Sequence, residues 1–209
     1  MEIDLTYTAL DPKRIGRITA SNFYKLMTKP RSKGELFSAS AQSYLNALVA
    51  QRLTGIAEES IDTAATHYGK AMESEAIKYY EDTYGVETEP VGFVEYGEDC
   101  GCTPDAKIAG YPAGVEVKCP YNSAVMVEYL QLRTQEELKE NYPNHYWQVM
   151  FSLLVTGYDS WNWIAYDPRM IDDKNKMVTI TIFPEDEDFD AMKEVLNKSI
   201  NYLNSPLWK

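Results

Sequence analysis

The sequence predicts an α/β fold in which helices flank a central mixed β-sheet. Apolar residues recur at helical spacing before Gly85, short apolar runs separated by Gly and Pro follow it, and helical and strand patterns alternate after Pro120. This order of helices, a strand meander, a helix, two strands and a final helix is typical of a sheet layer covered by helices. With 209 residues and no internal repeat or long linker, residues 1–209 are predicted to form a single domain.

Three helices are predicted in the first part of the chain. A short helix over residues 19–28 begins at a threonine that can cap it and stops at the polar, basic stretch 29–34. Ser38 can cap a second helix, which carries apolar residues at helical spacing and ends before Gly55. A long helix is predicted over residues 63–84, closed by the glycine that follows it.

The remaining elements follow from changes in the spacing of apolar residues. Strands are predicted over residues 91–96, 101–107, 115–119, 161–166 and 177–183. Helices are predicted over residues 123–140, 145–156 and 185–203. A turn over residues 110–114 should bring strand 115–119 back alongside strand 101–107.

The composition predicts a cytoplasmic protein with no membrane span. The N-terminus lacks the basic and apolar regions of a signal peptide, and no stretch of 18 apolar residues occurs. Cys100, Cys102 and Cys119 are an odd number of cysteines and are expected to be free thiols. The alternative is that the Cys100-x-Cys102 pair forms half of a zinc or iron-sulfur site.

The net charge of −12 argues against a nucleic-acid partner, because phosphate contacts need Lys and Arg. The charge is unevenly distributed, however: residues 1–34 carry seven basic and three acidic side chains. A basic region on an acidic body suits a protein that binds a polyanion along one surface. An ordinary solvated face explains the same charges, and charge alone favours that interpretation.

The residues that can carry chemistry are Thr103–Asp105 (Thr-Pro-Asp) and Val115–Lys118 (Val-Glu-Val-Lys). Strand alternation places Glu116 and Lys118 on one face, outside the core, and the two valines on the core face. If the turn between the motifs brings Asp105 beside Glu116, the two carboxylates repel unless a cation lies between them, and Mg2+ prefers such oxygen ligands. An exposed hairpin with a surface Glu and Lys is the alternative.

Five blocks of sequence occur in one order: Gly16–Ser21, His67–Glu73, Thr103–Asp105, Val115–Pro120 and Trp147–Met150. Together with the Tyr166–Arg169 run, they resemble the phage-type alkaline exonucleases of the YqaJ-like family. The resemblance spans residues 14–170 and implies a PD-(D/E)XK, restriction-endonuclease-like core.

The resemblance also implies a metal centre. Asp105, Glu116 and the main-chain carbonyl of Val117 would hold Mg2+, for which Mn2+ would substitute, and Glu73 would complete the metal environment. Lys118 would activate or orient the attacking water. Taken alone, Glu73 would be interpreted as a solvated helix residue.

A pocket for the DNA end is implied in the same way. The matching positions for the terminal 5'-phosphate are Arg14, Ser21, Thr103 and Gln148, and Arg17 and Arg31 are expected to make other DNA contacts. Gln148 is also expected near the reacting phosphate. Without the ordered blocks, Arg14 and Gln148 would be interpreted as ordinary surface and helix residues.

The implied activity is Mg2+-dependent 5'-to-3' digestion of linear double-stranded DNA, which leaves 3' overhangs for homologous recombination. A homotrimer that encircles DNA, a single-strand annealing protein as partner and a phage or prophage origin in a bacterial cell are implied with it. Two rivals stay open: an endonuclease of the same fold and a non-catalytic protein that binds DNA ends.

Overall fold

The strands of the chain form two separate sheets in the computed structural model, which describes residues 11–57 and 63–208. The strands are β1 (Ile18–Thr19), β2 (Thr88–Glu89), β3 (Val94–Tyr96), β4 (Cys100–Cys102), β5 (Ala106–Ile108), β6 (Ala113–Lys118), β7 (Ser160–Tyr166) and β8 (Met177–Ile182). Within the described residues, one sheet has the order β1-β4-β3 and the other the order β2-β5-β6-β7-β8. The larger sheet is mixed, because β6 and β7 are parallel and its other pairs are antiparallel.

Helices cover both faces of the larger sheet. They are α1 (Ala20–Met27), α2 (Ala39–Thr54), α3 (Ala64–Tyr84), α4 (Ser123–Tyr129), α5 (Gln135–Asn141), α6 (Pro143–Thr156) and α7 (Asp186–Leu203). Short 3-10 helices lie at Pro12–Arg14, Asp173–Asn175 and Pro206–Trp208. The predicted α/β fold with a central mixed sheet and flanking helices is confirmed.

Local chemistry sets most of the helix ends. Ser38 caps α2 by accepting a hydrogen bond from the backbone N–H of Ala41 at 3.3 Å. Gly55 and Gly85 end α2 and α3 at φ values of 69° and 66°, which glycine adopts without steric cost. Thr19 occupies the cap position of α1, but its hydroxyl makes no capping bond.

The strand predicted over residues 101–107 is wrong as a single element. β4 pairs with β1 and β3 in the smaller sheet, whereas β5 pairs with β2 and β6 in the larger one. Pro104 lies at the break, where it has no N–H to donate to a ladder. Thr103 and Asp105 therefore lie at the joint between two sheets.

The helix predicted over residues 123–140 is also divided in two. Its first part ends at Tyr129, and Thr134 then caps α5 by accepting from the backbone N–H of Glu137 at 3.3 Å. The side chain of Arg133 donates to the carbonyl of Leu130 at the end of the first part. A capping threonine inside the helical pattern therefore starts a new helix.

The core lies on both faces of the larger sheet. Val115 and Val117 pack against α3 residues such as Tyr80 on one face, and the buried Trp161 and Trp163 pack with α6 on the other. The prediction that the charged face of β6 lies outside the core is wrong for Glu116, which is only 2% exposed because α6 covers it. No helix among the described residues has the length and apolar content needed to cross a membrane.

Candidate active site

The centre of the site is a hydrogen-bonded triangle on β6 and α6. Lys118 Nζ donates to Glu116 Oε1 at 2.6 Å and to Gln148 Oε1 at 3.1 Å. Gln148 Nε2 donates to the same Glu116 oxygen at 2.6 Å. Strand alternation brings Glu116 and Lys118 to one face, and α6 brings Gln148 over them. The structure thus brings together three of the predicted site residues.

Asp105 lies beside this triangle. Its Oδ2 accepts a hydrogen bond from the backbone N–H of Val117 at 2.7 Å, as the antiparallel pairing of Ala106 with Val115 allows. Burial, and then the negative charge of Glu116, raise the pKa of the Asp105 carboxyl well above its ordinary value. Two carboxylates therefore share a poorly solvated space.

Lys118 is the cation of the site. Burial alone would lower the pKa of its amine, but the charges of Glu116 and Asp105 outweigh burial and raise it. Lys118 is therefore an ammonium group that donates hydrogen bonds, and it has no lone pair with which to accept a proton.

Glu73 approaches the site from α3. This helix passes close to the end of β6, since a Cβ at Gly69 would lie 3.9 Å from the carbonyl oxygen of Cys119. Burial and the charge of Glu116 raise the pKa of Glu73, which is half-buried. Across the described residues, no group of three or more His, Cys, Asp or Glu side chains converges to hold a metal, so Glu73 does not form such a group with Asp105 and Glu116.

Two of the residues predicted to bind the terminal phosphate are in contact with each other. Arg14 Nη1 donates to the hydroxyl of Thr103 at 2.6 Å, which joins the N-terminal 3-10 helix to the joint between the sheets. Ser21, at the start of α1, is exposed, and its hydroxyl lies 3.5 Å from that of Thr19. The hydrogen bond of Arg14 thus joins it to Thr103, and that of Ser21 joins it to Thr19.

The two other arginines expected to contact DNA differ in their surroundings. Arg17 donates to Glu95 at 2.8 Å and is therefore paired with an acid in the structure. Arg31 is exposed in the loop after α1. The cysteines Cys100, Cys102 and Cys119 are free, as expected, and burial raises the pKa of each to about 12.

Sequence reasoning missed a histidine behind Lys118. His145 accepts or donates a 2.9 Å hydrogen bond through Nε2 with the hydroxyl of Tyr129, and it lies between the rings of Tyr142 and Trp163. Burial, followed by the positive charge of Lys118, lowers its pKa to about 3. A lone histidine on an amphipathic helix carries no signal of such a position in sequence.

Sequence reasoning also missed the role of Arg169 in the Tyr166–Arg169 run. Its guanidinium binds both carboxylate oxygens of Asp167, at 2.7 and 2.9 Å, and donates to the carbonyls of Pro120 and Tyr121 at 2.8 and 2.9 Å. It also lies 4.8 Å from the ring centre of Tyr68 on α3. Arg169 thus ties the turn after β6 to the end of β7 and to α3.

The mixed sheet, with Glu116 and Lys118 on β6 and Asp105 just before the neighbouring β5, defines a deoxyribonuclease of the PD-(D/E)XK class. The profile described as the YqaJ-like viral recombinase domain matches residues 11–159, and the chain belongs to this family. The predicted family and enzyme class are therefore confirmed.

Solved structures agree with this assignment. The alkaline exonuclease LHK-Exo from Laribacter hongkongensis is 25% identical with a TM-score of 0.77, over 92% of this chain and 90% of that one. Its complex with dAMP is also 25% identical, with a TM-score of 0.78 over 93% and 91%. A phage-related exonuclease from Haemophilus somnus 129PT, 17% identical with a TM-score of 0.72 over 90% and 93%, shares the fold. No curated protein gave a significant match.

Proposed function

We propose that the chain is a metal-dependent 5'-to-3' exonuclease that digests one strand of linear double-stranded DNA and leaves 3' overhangs for recombination. The observation that carries the proposal is the Arg14–Thr103 hydrogen bond: Thr103 is two residues before Asp105, which accepts from the backbone N–H of Val117, between Glu116 and Lys118. A cation suited to a terminal phosphate is thus bonded to the same short segment that carries Asp105. A nuclease that cuts within a strand would have no need of such a pocket.

The donors of the site fit a hard divalent cation. Hydrogen bonds among the described residues use one oxygen of Asp105 and one of Glu116, and the two acids carry more negative charge than Lys118 neutralises. Asp105, Glu116 and the carbonyl of Val117 are oxygen ligands that Mg2+ prefers, and Mn2+ accepts similar ones. The ion, when bound, would lower the pKa of a bound water and polarise the scissile phosphate.

The protein's own groups divide the remaining tasks. Arg14 and Thr103 would hold the 5'-phosphate by charge-assisted hydrogen bonds, with Ser21 at the rim as a further donor. Lys118 would donate a hydrogen bond to the attacking water or to a phosphate oxygen, and stabilise the charge that develops there. Gln148 fixes the orientation of Lys118 and Glu116 by bonding to both. Glu73 faces the same site from α3.

The assembly belongs to the same proposal. An enzyme that digests long tracts of DNA without dissociating would have to encircle the duplex. A single domain of 209 residues is too small to do so, and the proposed assembly is therefore a ring such as a homotrimer. The overhang would be passed to a single-strand annealing protein in the cytosol of a bacterial host, from a phage or prophage gene. Arg31 would contact the duplex outside the site.

The test is digestion of 5'-phosphorylated linear duplex, labelled on one strand, beside a covalently closed circle of the same sequence. With Mg2+, the linear DNA should lose nucleotides from each 5' end, the closed circle should survive and chelator should stop the reaction. Nicking of the circle would identify an endonuclease. Retention of DNA ends without digestion in Mg2+ or Mn2+ would identify a non-catalytic end-binding protein.

A further inference from the structure

The basic turn before α1 carries three cations, and a single acid pairs with two of them. Glu95 accepts from Arg17 Nη1 at 2.8 Å and lies 3.4 Å from Lys13 Nζ. Among the described residues, no ion pair engages Arg14, which instead donates to Thr103. Lys13 and Arg17 are therefore paired with Glu95, whereas Arg14 is not.

The pairing of β3 with β4 places Glu95 close to the segment that leads to Thr103. Glu95 is opposite Gly101 in the pairing of β3 with β4, and β4 leads directly to Thr103. The ring centre of Phe93, two positions before Glu95, lies 5.8 Å from the guanidinium carbons of both Arg14 and Arg17. Phe93 therefore supports both arginines, whereas Glu95 bonds only one of them.

We propose that Glu95 is a specificity-determining residue, which keeps Lys13 and Arg17 from internal phosphates and leaves Arg14 to select the terminal 5'-phosphate. The inference rests on the proposed exonuclease function and deepens it. The number of phosphates that a protein neutralises sets both its affinity for DNA and the salt dependence of that affinity. Three free cations would hold any stretch of backbone, whereas one cation beside a hydroxyl favours the more highly charged terminal phosphate.

The electrostatics of Glu95 suit this role. The hydrogen bonds from Arg17 and then Lys13 lower the pKa of the Glu95 carboxyl, so it stays ionised at neutral pH. Its side chain is 42% exposed, and an exposed ion pair contributes little to stability. The carboxylate can therefore be neutralised with little risk to the fold, which makes the inference testable.

The experiment compares Glu95→Gln with Glu89→Gln, a matched variant that removes the same charge. Glu89 pairs with Lys107 at 2.9 Å in the larger sheet and is similarly exposed. Binding to duplexes with 5'-phosphate or 5'-hydroxyl ends is measured in chelator over a range of salt concentrations. Glu95→Gln should bind hydroxyl ends about 10-fold more tightly at low salt, and the slope of log affinity against log salt should steepen by about 1 to 2 as freed cations engage phosphates. Glu89→Gln should match the wild type.

Other outcomes separate the inference from the function on which it rests. If the wild type prefers phosphorylated ends and Glu95→Gln keeps both that preference and the salt slope, Glu95 has no such role. If the wild type itself ignores the terminal phosphate, the proposed pocket fails instead. Adding Arg17→Gln to Glu95→Gln should reverse part of the gain in affinity, because only Lys13 then remains freed, and adding Lys13→Gln as well should reverse the rest. A full gain that persists after both additions would overturn the assignment of Lys13 and Arg17 as the cations that Glu95 restrains.

Discussion

Arg14 and Thr103 are 89 positions apart in sequence, and a 2.6 Å hydrogen bond joins them. The bond connects a turn at one end of the described chain to the joint between the two sheets. Because a guanidinium keeps its charge even where burial lowers its pKa, as here, the contact places a permanent cation on Thr103, two residues before Asp105.

Arg14→Ala should reduce the preference for 5'-phosphorylated over 5'-hydroxyl ends by about 10-fold or more, as expected for loss of a hydrogen bond to a charged group. Arg14→Lys should restore only part of it, because an ammonium lacks the planar donors. Competition digests with both ends in one reaction measure the ratio. Arg17→Ala is the comparison: its pairing with Glu95 predicts that it changes the ratio less than Arg14→Ala.

Asp105→Asn and Glu116→Gln should each lower Mg2+-dependent digestion by about 100-fold or more. Since burial and the neighbouring acid raise the pKa of Asp105, its ionised form destabilises the metal-free fold at neutral pH. Asp105→Asn should therefore raise the unfolding midpoint in chelator by about 2–4 °C, the equivalent of about 1 kcal/mol. An unchanged or lower midpoint would contradict the repulsion.

Glu116→Ala should behave differently from Glu116→Gln. Glu116 is 2% exposed and accepts from both Lys118 and Gln148, so truncation leaves a buried ammonium without its nearest partner. The loss should cost about 3–5 kcal/mol. Urea unfolding in chelator measures it, and equal stability of the two variants would show that the triangle contributes nothing to the fold.

Lys118→Met should lower turnover by about 100-fold or more while metal affinity changes little, because an ammonium group is not a ligand for a cation. Single-turnover digestion gives the rate, and calorimetric titration with Mn2+ gives the affinity. A variant that loses metal binding in parallel with rate would contradict the assigned role.

His145 should make the protein sensitive to acid. Its pKa is lowered from 6.5 to about 3, so between these values the unfolded chain binds a proton that the folded one does not. Stability from this residue is present above pH 6.5 and is lost as the pH falls, by up to about 1.4 kcal/mol per pH unit. Urea midpoints at pH 7 and 5 should differ less in His145→Gln than in the wild type, and an equal difference would refute the prediction.

Arg169→Ala should destabilise the fold by about 1–3 kcal/mol, because it leaves the buried carboxylate of Asp167 without its bidentate partner. The double variant with Asp167→Asn should recover part of that loss. Chemical unfolding of the wild type, both single variants and the double variant gives the free energies of unfolding for a double-mutant cycle. If the double variant recovers no stability, the hydrogen bonds of Arg169 to Pro120 and Tyr121 account for most of its contribution.

The parts that the sequence predicted correctly are those controlled by local chemistry. The cap at Ser38 and the glycine at position 55 depend only on neighbouring residues, so α2 begins and ends as predicted. Alternation in β6 predicted that Glu116 and Lys118 share a face, but it could not predict that α6 covers that face. The strand is divided at Pro104 because the residues before it and after it pair in different sheets. The hydrogen bond between Arg14 and Thr103 joins residues that are 89 positions apart in sequence. These depend on tertiary structure, and the family resemblance indicated only that Arg14 and Thr103 belong to one site.

The joint at Thr103–Asp105 has a consequence for the length of the product. Thr103 belongs to the proposed phosphate grip and Asp105 to the hydrolytic centre, and two residues of chain can span at most about 7 Å. Pro104 between them stiffens this short connection. The distance between these two backbone positions is thus fixed within one chain, and a movement of subunits relative to one another does not change it. With the roles proposed for Thr103 and Asp105, we therefore expect products of one uniform size, whatever the length or sequence of the substrate.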